Sequence, residues 1–270
     1  MKCEFKKEFP EWVNNNEIGE FDLCLSDDLD SLFSCILLEK IKGYKINYFY
    51  NFYGLGEIIE SDKMAIAVDV DLVQGKCWGN HTVLLSNHDA VNTECANINS
   101  ILGISRSNYT KKFCGSTLLQ IISYYNYDIS DLSEEALLIL LAIDSTYLSY
   151  YFNEETCRYY LVELLELNRL YKILEKYPKQ DFERVNNKYK LKSKIEIKDG
   201  KLITNIDLKG LEKLFNLPFL LPQEEFELVR EFEYCTKAFE RNEFNVSKKD
   251  LKNKIFSLAV TNKNFCCYSI

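Results

Sequence analysis

Over its first third the chain alternates short apolar runs with acid-bearing turns, and few folds accommodate that alternation. "FDLCLS" (21–26) reads as a short buried strand, and "LDSLFSCILLEKI" (29–41) as a helix with Leu32, Cys35 and Ile36 on an apolar face. "KINYFYN" (45–51), "KMAIAVDVD" (63–71) and "HTVLLS" (81–86) read as further strands. Strands interleaved with a helix predict an α/β fold, a mostly parallel sheet flanked by helices. Ligands of such sheets gather at the carboxyl ends of the strands. Asp27, Asp28 and Asp30 fall at one such end, and Asp69 with Asp71 at another.

An aspartate between a strand and a helix has an ordinary structural use, because its carboxylate caps the helix. Three acids within four residues exceed that need, since like charges so close repel. A divalent cation among them relieves the repulsion. Asp69 and Asp71 lie two apart at a strand end, which predicts side chains on the same face. Asp144 lies in "LLILLAIDSTYLSYYF", where nearly every neighbour is apolar. A carboxylate buried there needs a basic or metal partner, or stays protonated. The two histidines, His81 and His88, both fall in "CWGNHTVLLSNHDAVN". Carboxylates with imidazole suit Mn²⁺, Mg²⁺, Fe²⁺ or Co²⁺ better than a metal selected by thiolates.

Beyond residue 114 the pattern turns helical. Helices are expected over 115–126, over 133–152 with Ser133 as N-cap, and as one long amphipathic element over 154–178. The polar stretch 179–192 reads as a linker or bridging helix. A hairpin turning at Asp199-Gly200 follows in 194–207, then helices around 208–215 and 223–241, and two strand-like runs close the chain. These features predict an α/β metal-binding domain over 1–178, a linker over 179–192, and a smaller α+β domain over 193–270 that could cap the substrate.

The net charge of −8, with no block rich in lysine or arginine, argues against strong duplex-DNA binding, which relies on neutralised phosphates. A small phosphorylated substrate held through a metal remains compatible with it. None of the ten cysteines forms a C-x-x-C pair, which argues against a structural zinc site. No apolar run reaches the ~18 residues of a membrane helix, and the charged start is unlike a signal peptide. The expectation is a cytoplasmic protein with reduced thiols and no membrane association; the sequence leaves oligomer formation open.

The ordered acids resemble the motifs of the DHH phosphoesterase superfamily. Its first motif, H-x-x-x-D-x-D-[GS] after a strand, is matched in "CLSDDLDSLFS" by Asp28, Asp30 and Ser31, with Ser34 at the small position. Cys24 stands where the motif has histidine. The second motif, an aspartate ending a strand, is matched by Asp69, with Asp71 as its neighbour. The third, Asp-His-His, is degenerate: "WGNHT" offers His81 and "SNHDA" offers His88, with His81 better spaced and His88 open. The fourth, A-x-x-D-[ST], is matched by "LAIDSTY" and Asp144. The resemblance covers about residues 20–150, and the G-G-G-H signature of many relatives' second domain is absent from the sequence.

The resemblance implies a two-metal phosphoesterase using Mn²⁺, with Mg²⁺ or another divalent ion as substitute. One ion would be held by Asp30, Asp69, the histidine and Asp144; the other by Asp28, Asp69 and the residue at Cys24. Asp28, Asp30, Asp69 and His81 would form the catalytic set. Nearby, Ser105, Arg106, Lys111, Lys112, Ser116 and Thr117 could contact phosphate, with a solvated surface position equally open for Lys111 and Lys112. The substrate would be a short oligonucleotide or a nucleotide second messenger. Cys24 and the degraded third motif also fit a catalytically impaired relative that binds a nucleotide or a protein partner. "LSDDLDSL" resembles the D-x-D motif of haloacid-dehalogenase-like phosphatases as well, but Asp144 in an apolar helical stretch fits that family poorly.

Overall fold

A computed structural model describes residues 1–240, 243, 245–251 and 254–270. The strands are β1 (Asp22–Leu25), β2 (Lys45–Tyr50), β3 (Gly54–Glu57), β4 (Ala65–Val68), β5 (Cys77–Trp78), β6 (Cys95–Ala96), β7 (Ile195–Lys198), β8 (Lys201–Thr204), β9 (Glu227–Glu231), β10 (Tyr234–Ala238), β11 (Ser257–Asn262) and β12 (Phe265–Ser269). The longer helices are α1 (Leu29–Lys42), α2 (Thr117–Tyr124), α3 (Glu134–Ala142), α4 (Asn168–Lys176), α5 (Lys179–Tyr189) and α6 (Leu208–Phe215). The chain folds into two compact units that alternate along the sequence. A helical unit comprises Met1–Lys7, Asp27–Gly43 and Cys114–Glu225; a sheet unit comprises Glu8–Ser26, Tyr44–Phe113 and Phe226–Ile270. Residues 193–225 thus belong to the first unit and 226–270 to the second.

The sheet unit carries a seven-stranded sheet in the order β6-β5-β4-β1-β2-β3-β9. The pairs from β6 to β2 are parallel, and β3 and β9 extend the sheet antiparallel. The α/β class and the largely parallel sheet are therefore as expected. β1 is buried along its whole length, as a continuous apolar run in a central parallel strand should be. Trp78 on β5 is fully buried and meets Trp12 edge-on at 6.1 Å. A second sheet, β10-β12-β11, is antiparallel and packs Leu258, Val260 and Tyr268 with Val83, Leu84 and Leu85. The expected strand over 81–86 is reduced to isolated bridges, Thr82 to Val260 and Leu84 to Ser105.

The expected helix over 223–241 is instead the strands β9 and β10 (residue 241 lies outside the described residues). β3 offers an edge that β9 pairs with, and strand pairing overrides weak local propensity.

In the helical unit, α1 begins at the N-cap Asp28 and ends at Gly43, whose φ of 68° suits a residue without a Cβ. Phe33 on α1 meets Phe215 and Phe219 at 4.8 and 4.7 Å. Tyr147 stacks on Phe182 of α5 at 4.7 Å. The expected long helix over 154–178 is broken into Glu154–Arg158, a π-helical turn Tyr159–Leu164 and α4, with Glu166 at φ 58° between them. The segment 179–192 is mostly the helix α5. β7 and β8 form the hairpin expected at Asp199-Gly200, both turn residues at positive φ as a type I′ turn requires. Among the described residues, no helix is long and apolar enough to cross a membrane.

Candidate metal centre

The first acidic cluster follows β1, where the chain passes from the sheet unit into the helical unit. Asp28 caps α1, accepting the Ser31 N–H at 3.3 Å. Asp30 stands in the first turn of α1 and is only 1% exposed. Its two oxygens accept the main-chain N–H groups of Thr117 at 2.7 Å and Leu118 at 2.8 Å. These are the first two amides of α2, the end of a helix that attracts a carboxylate. Asp30 therefore joins two helices through 87 residues of intervening chain, and its orientation is fixed.

Asp144, expected mid-helix or at a break in an apolar run, lies at a break and is exposed rather than buried. The helical run 133–152 breaks there: α3 ends at Ala142, and Asp144 and Ser145 take φ values of 51° and 55°. The break leaves Asp144 exposed despite its apolar neighbours. Aspartate tolerates this left-handed backbone better than most residues.

Asp28, Asp30 and Asp144 line one cleft of about 340 Å³ together with Lys192, Lys194 and Asn186. The carboxylate oxygens of Asp30 and Asp144 come within 4.8 Å of each other. Burial, then the charges of Asp144 and Asp28, push the Asp30 carboxyl well above its usual range, against the pull of the Leu118 and Thr117 amides. Burial and Asp144 raise Asp28 likewise, partly offset by Lys194. Lys194 was not singled out from the sequence. It lies 3.0 Å from Asp27 and 3.5 Å from Asp28, and these acids raise its ammonium although burial alone would lower it. Asp27 is thus taken up by a lysine and by its own carbonyl, which accepts the Ile195 N–H at 2.8 Å.

The other candidates lie at the carboxyl ends of adjacent strands in the sheet unit. β4 stops at Val68, and Asp69 enters the left-handed region at φ 58°. Side-chain alternation ends there, so Asp69 and Asp71 do not share a strand face. Asp71 is buried and accepts from the His81 main-chain N–H at 3.1 Å, His81 Nδ1 at 3.0 Å and Asn97 Nδ2 at 2.6 Å. A carboxylate accepts only, so His81 Nδ1 carries the proton and Nε2 keeps the ring's lone pair. This is how carboxylates orient a ligating imidazole. Asn97 also donates to the His81 carbonyl at 2.7 Å and caps the helix that follows it.

His88 sits exposed in a surface turn. The neighbouring Asp89 is occupied by the N–H groups of Leu85, Ser86 and Lys248 at 2.8 to 3.0 Å. Among the described residues, His81 alone of the pair has a carboxylate holding its ring.

Cys24 packs among Tyr50, Ala67, Val70, Cys77 and Phe232. Burial pushes its thiol up to about 12, and its Sγ donates to the Leu25 carbonyl at 3.9 Å. Cys24→Ala is expected to leave any metal-dependent turnover within about twofold and to lower stability by ~1 kcal/mol, the loss of one small buried group. Loss of turnover in that variant, measured beside a thermal melt, would restore Cys24 as a ligand.

The residues expected to touch phosphate have structural partners. Arg106 is fully buried, donates to the carbonyls of Lys263 at 2.9 Å and Glu243 at 2.7 Å, and lies 3.6 Å from the Phe239 ring centroid. Ser116 caps α2 through the Leu119 N–H, and Thr117 donates to Asp30. Ser105 caps the turn after it, and Lys112 lies over the Tyr109 ring at 4.9 Å. Comparison of the chain with family models, with curated proteins and with solved structures found no match.

Proposed function

We propose that the protein is a metal-dependent phosphoesterase of the DHH type, hydrolysing a phosphodiester or phosphoanhydride in a short oligonucleotide or a nucleotide second messenger. One observation carries this reading: Asp28, Asp30 and Asp144 line a single cleft, and the Asp30 and Asp144 oxygens approach within 4.8 Å. Like charges gathered in a part-buried cleft oppose one another, and a divalent cation is the common chemical remedy. The donors are all carboxylate oxygens, the set that suits Mn²⁺ or Mg²⁺.

A bound ion would acidify a water molecule and draw charge from the phosphoryl oxygens. The chain's own part is positioning. The α2 amides fix Asp30, Lys194 balances Asp27 and Asp28, and Asp71 sets the His81 tautomer. Lys192 and Lys194 on the cleft wall supply positive charge for a phosphate.

A second reading, a silent relative that binds a nucleotide without hydrolysing it, is favoured by one observation. Cys24, the motif's histidine position, is buried as a protonated thiol in an apolar cluster. Hydrolysis of a chromogenic phosphodiester with Mn²⁺ separates the two. The enzyme reading expects turnover that the Asp30→Ala, Asp144→Ala double variant abolishes. Mn²⁺ binding without turnover of diesters, dinucleotides or pyrophosphate supports the silent relative. No binding of any divalent ion sinks the metal centre itself.

A further inference from the structure

The resemblance asks for a second ion with Asp28 among its ligands, and Asp28 of this chain does not fit that role. Both of its oxygens are engaged: Oδ1 accepts the Ser31 N–H at 3.3 Å, and Oδ2 meets Lys194 Nζ at 3.5 Å. Asp27 Oδ1 meets the same ammonium at 3.0 Å. In the sheet unit, Cys24 stands at the position of that ion's histidine ligand and packs in an apolar cluster with Tyr50, Val70 and Phe232. Burial keeps its thiol protonated.

Lys194 is half-exposed, but it is not a lysine on a loose loop. The main chain on both sides of it is tied down. The Ile195 N–H donates to the Asp27 carbonyl at 2.8 Å, and Thr204 Oγ1 donates to the Lys194 carbonyl at 2.9 Å. β7 therefore starts against the segment that caps α1, and Lys194 arrives there as part of the hairpin. A stem anchored in this way gives up less freedom on forming its ion pairs. Its ammonium also borders the cleft that Asp30 and Asp144 line.

We propose that Lys194 takes the place of the second ion, so that the cleft binds one divalent ion per chain. The proposal rests on the phosphoesterase reading of the same cleft. A divalent ion held by Asp28 would stand a few ångströms from a charged ammonium, and the two would repel. The lysine supplies a positive charge that cannot dissociate from the chain, with three donors for phosphoryl oxygens. Asp30 and Asp144, whose oxygens approach within 4.8 Å, are left as the pair that holds the ion.

The test is Mn²⁺ binding to the full chain by equilibrium dialysis with metal analysis, beside the electron paramagnetic resonance spectrum of the bound ion. The expected result is one ion per chain at saturation, with the spectrum of an isolated ion. Lys194→Arg keeps the charge and should keep the count at one. Lys194→Met restores the repulsion between Asp27 and Asp28 that a cation relieves, and should take up a second ion. Asp28→Asn added to Lys194→Met should return the count to one. A surface ion pair with no part in the metal chemistry would leave the count unchanged in every variant.

Two ions per wild-type chain, the spectrum of a spin-coupled pair, or a single ion in Lys194→Met would overturn the proposal. Should Lys194→Met fail to fold, the wild-type count and Lys194→Gln decide it. One bound ion without hydrolysis of diesters, dinucleotides or pyrophosphate would defeat the phosphoesterase reading and leave this one standing. No bound ion at all would defeat both.

Discussion

Asp30→Ala is expected to abolish metal-dependent turnover, a fall on the order of a thousandfold or more, and to unsettle the start of α2. The Thr117 and Leu118 amides would lose their acceptor in a fully buried place. Each orphaned donor costs about 1–3 kcal/mol, less whatever is gained by removing a charge that Asp28 and Asp144 oppose. Asp30→Asn separates the two effects. Its amide oxygen keeps one acceptor for α2 and the opposing charge is gone, so the variant should be inactive yet melt near or above the metal-free wild type.

The pH dependence follows from the same group. Asp30 has a folded pKa raised above the ~3.9 of an unfolded chain. Its contribution to stability is therefore complete below that unfolded value and is lost as pH rises through the folded one. Without divalent ions, the melting temperature should fall as pH rises from the unfolded value through the raised folded one. Saturating Mn²⁺ should flatten that slope and raise the neutral-pH melting temperature by mass action. Melting curves with and without Mn²⁺ at several pH values check this; a metal-free slope unchanged in Asp30→Asn would show that Asp30 is not its source.

The sheet's central strands and α1 were legible because each is short, apolar and bounded by its own punctuation. The acids were legible as a group, since three carboxylates in four residues carry their anomaly in local sequence. Their structural partners were not. Asp30 meets α2 across 87 residues, and Lys194 meets Asp28 across 166. No window on the sequence spans such distances. For Asp144 a break was one of two readings, but its exposure was not legible: its neighbours are apolar, and two residues at positive φ lift it into solvent. Arg106 was expected near phosphate, while carbonyls of the C-terminal segment claim it here. Asn186 left no sequence signal, since asparagine is common throughout the chain.

The choice between His81 and His88 was open in the sequence and turns on Asp71, whose replacement should be among the most damaging in the sheet unit. Asp71→Ala leaves the His81 N–H, His81 Nδ1 and Asn97 Nδ2 without their acceptor, all around a buried point. Breaking such a network typically costs ~3–5 kcal/mol. The space is built to the carboxylate's dimensions: a Cβ on Gly79 would lie 2.0 Å from Asp71 Oδ1, so Gly79→Ala should damage the same network. Asp71→Asn is the informative variant. It preserves shape, but an amide that donates toward Nδ1 drives the imidazole to the opposite tautomer, with the proton on Nε2 and no lone pair left there for a metal. Turnover should fall about ten- to a hundredfold, as with other groups that orient metal ligands. The chain has only two histidines, so ¹⁵N spectra of the ring nitrogens are simple to assign with a His88→Gln control. Wild type should show His81 protonated at Nδ1, and Asp71→Asn should move the proton to Nε2. Identical spectra for the two proteins would mean that Asp71 supports the fold of this loop without setting the chemistry of His81.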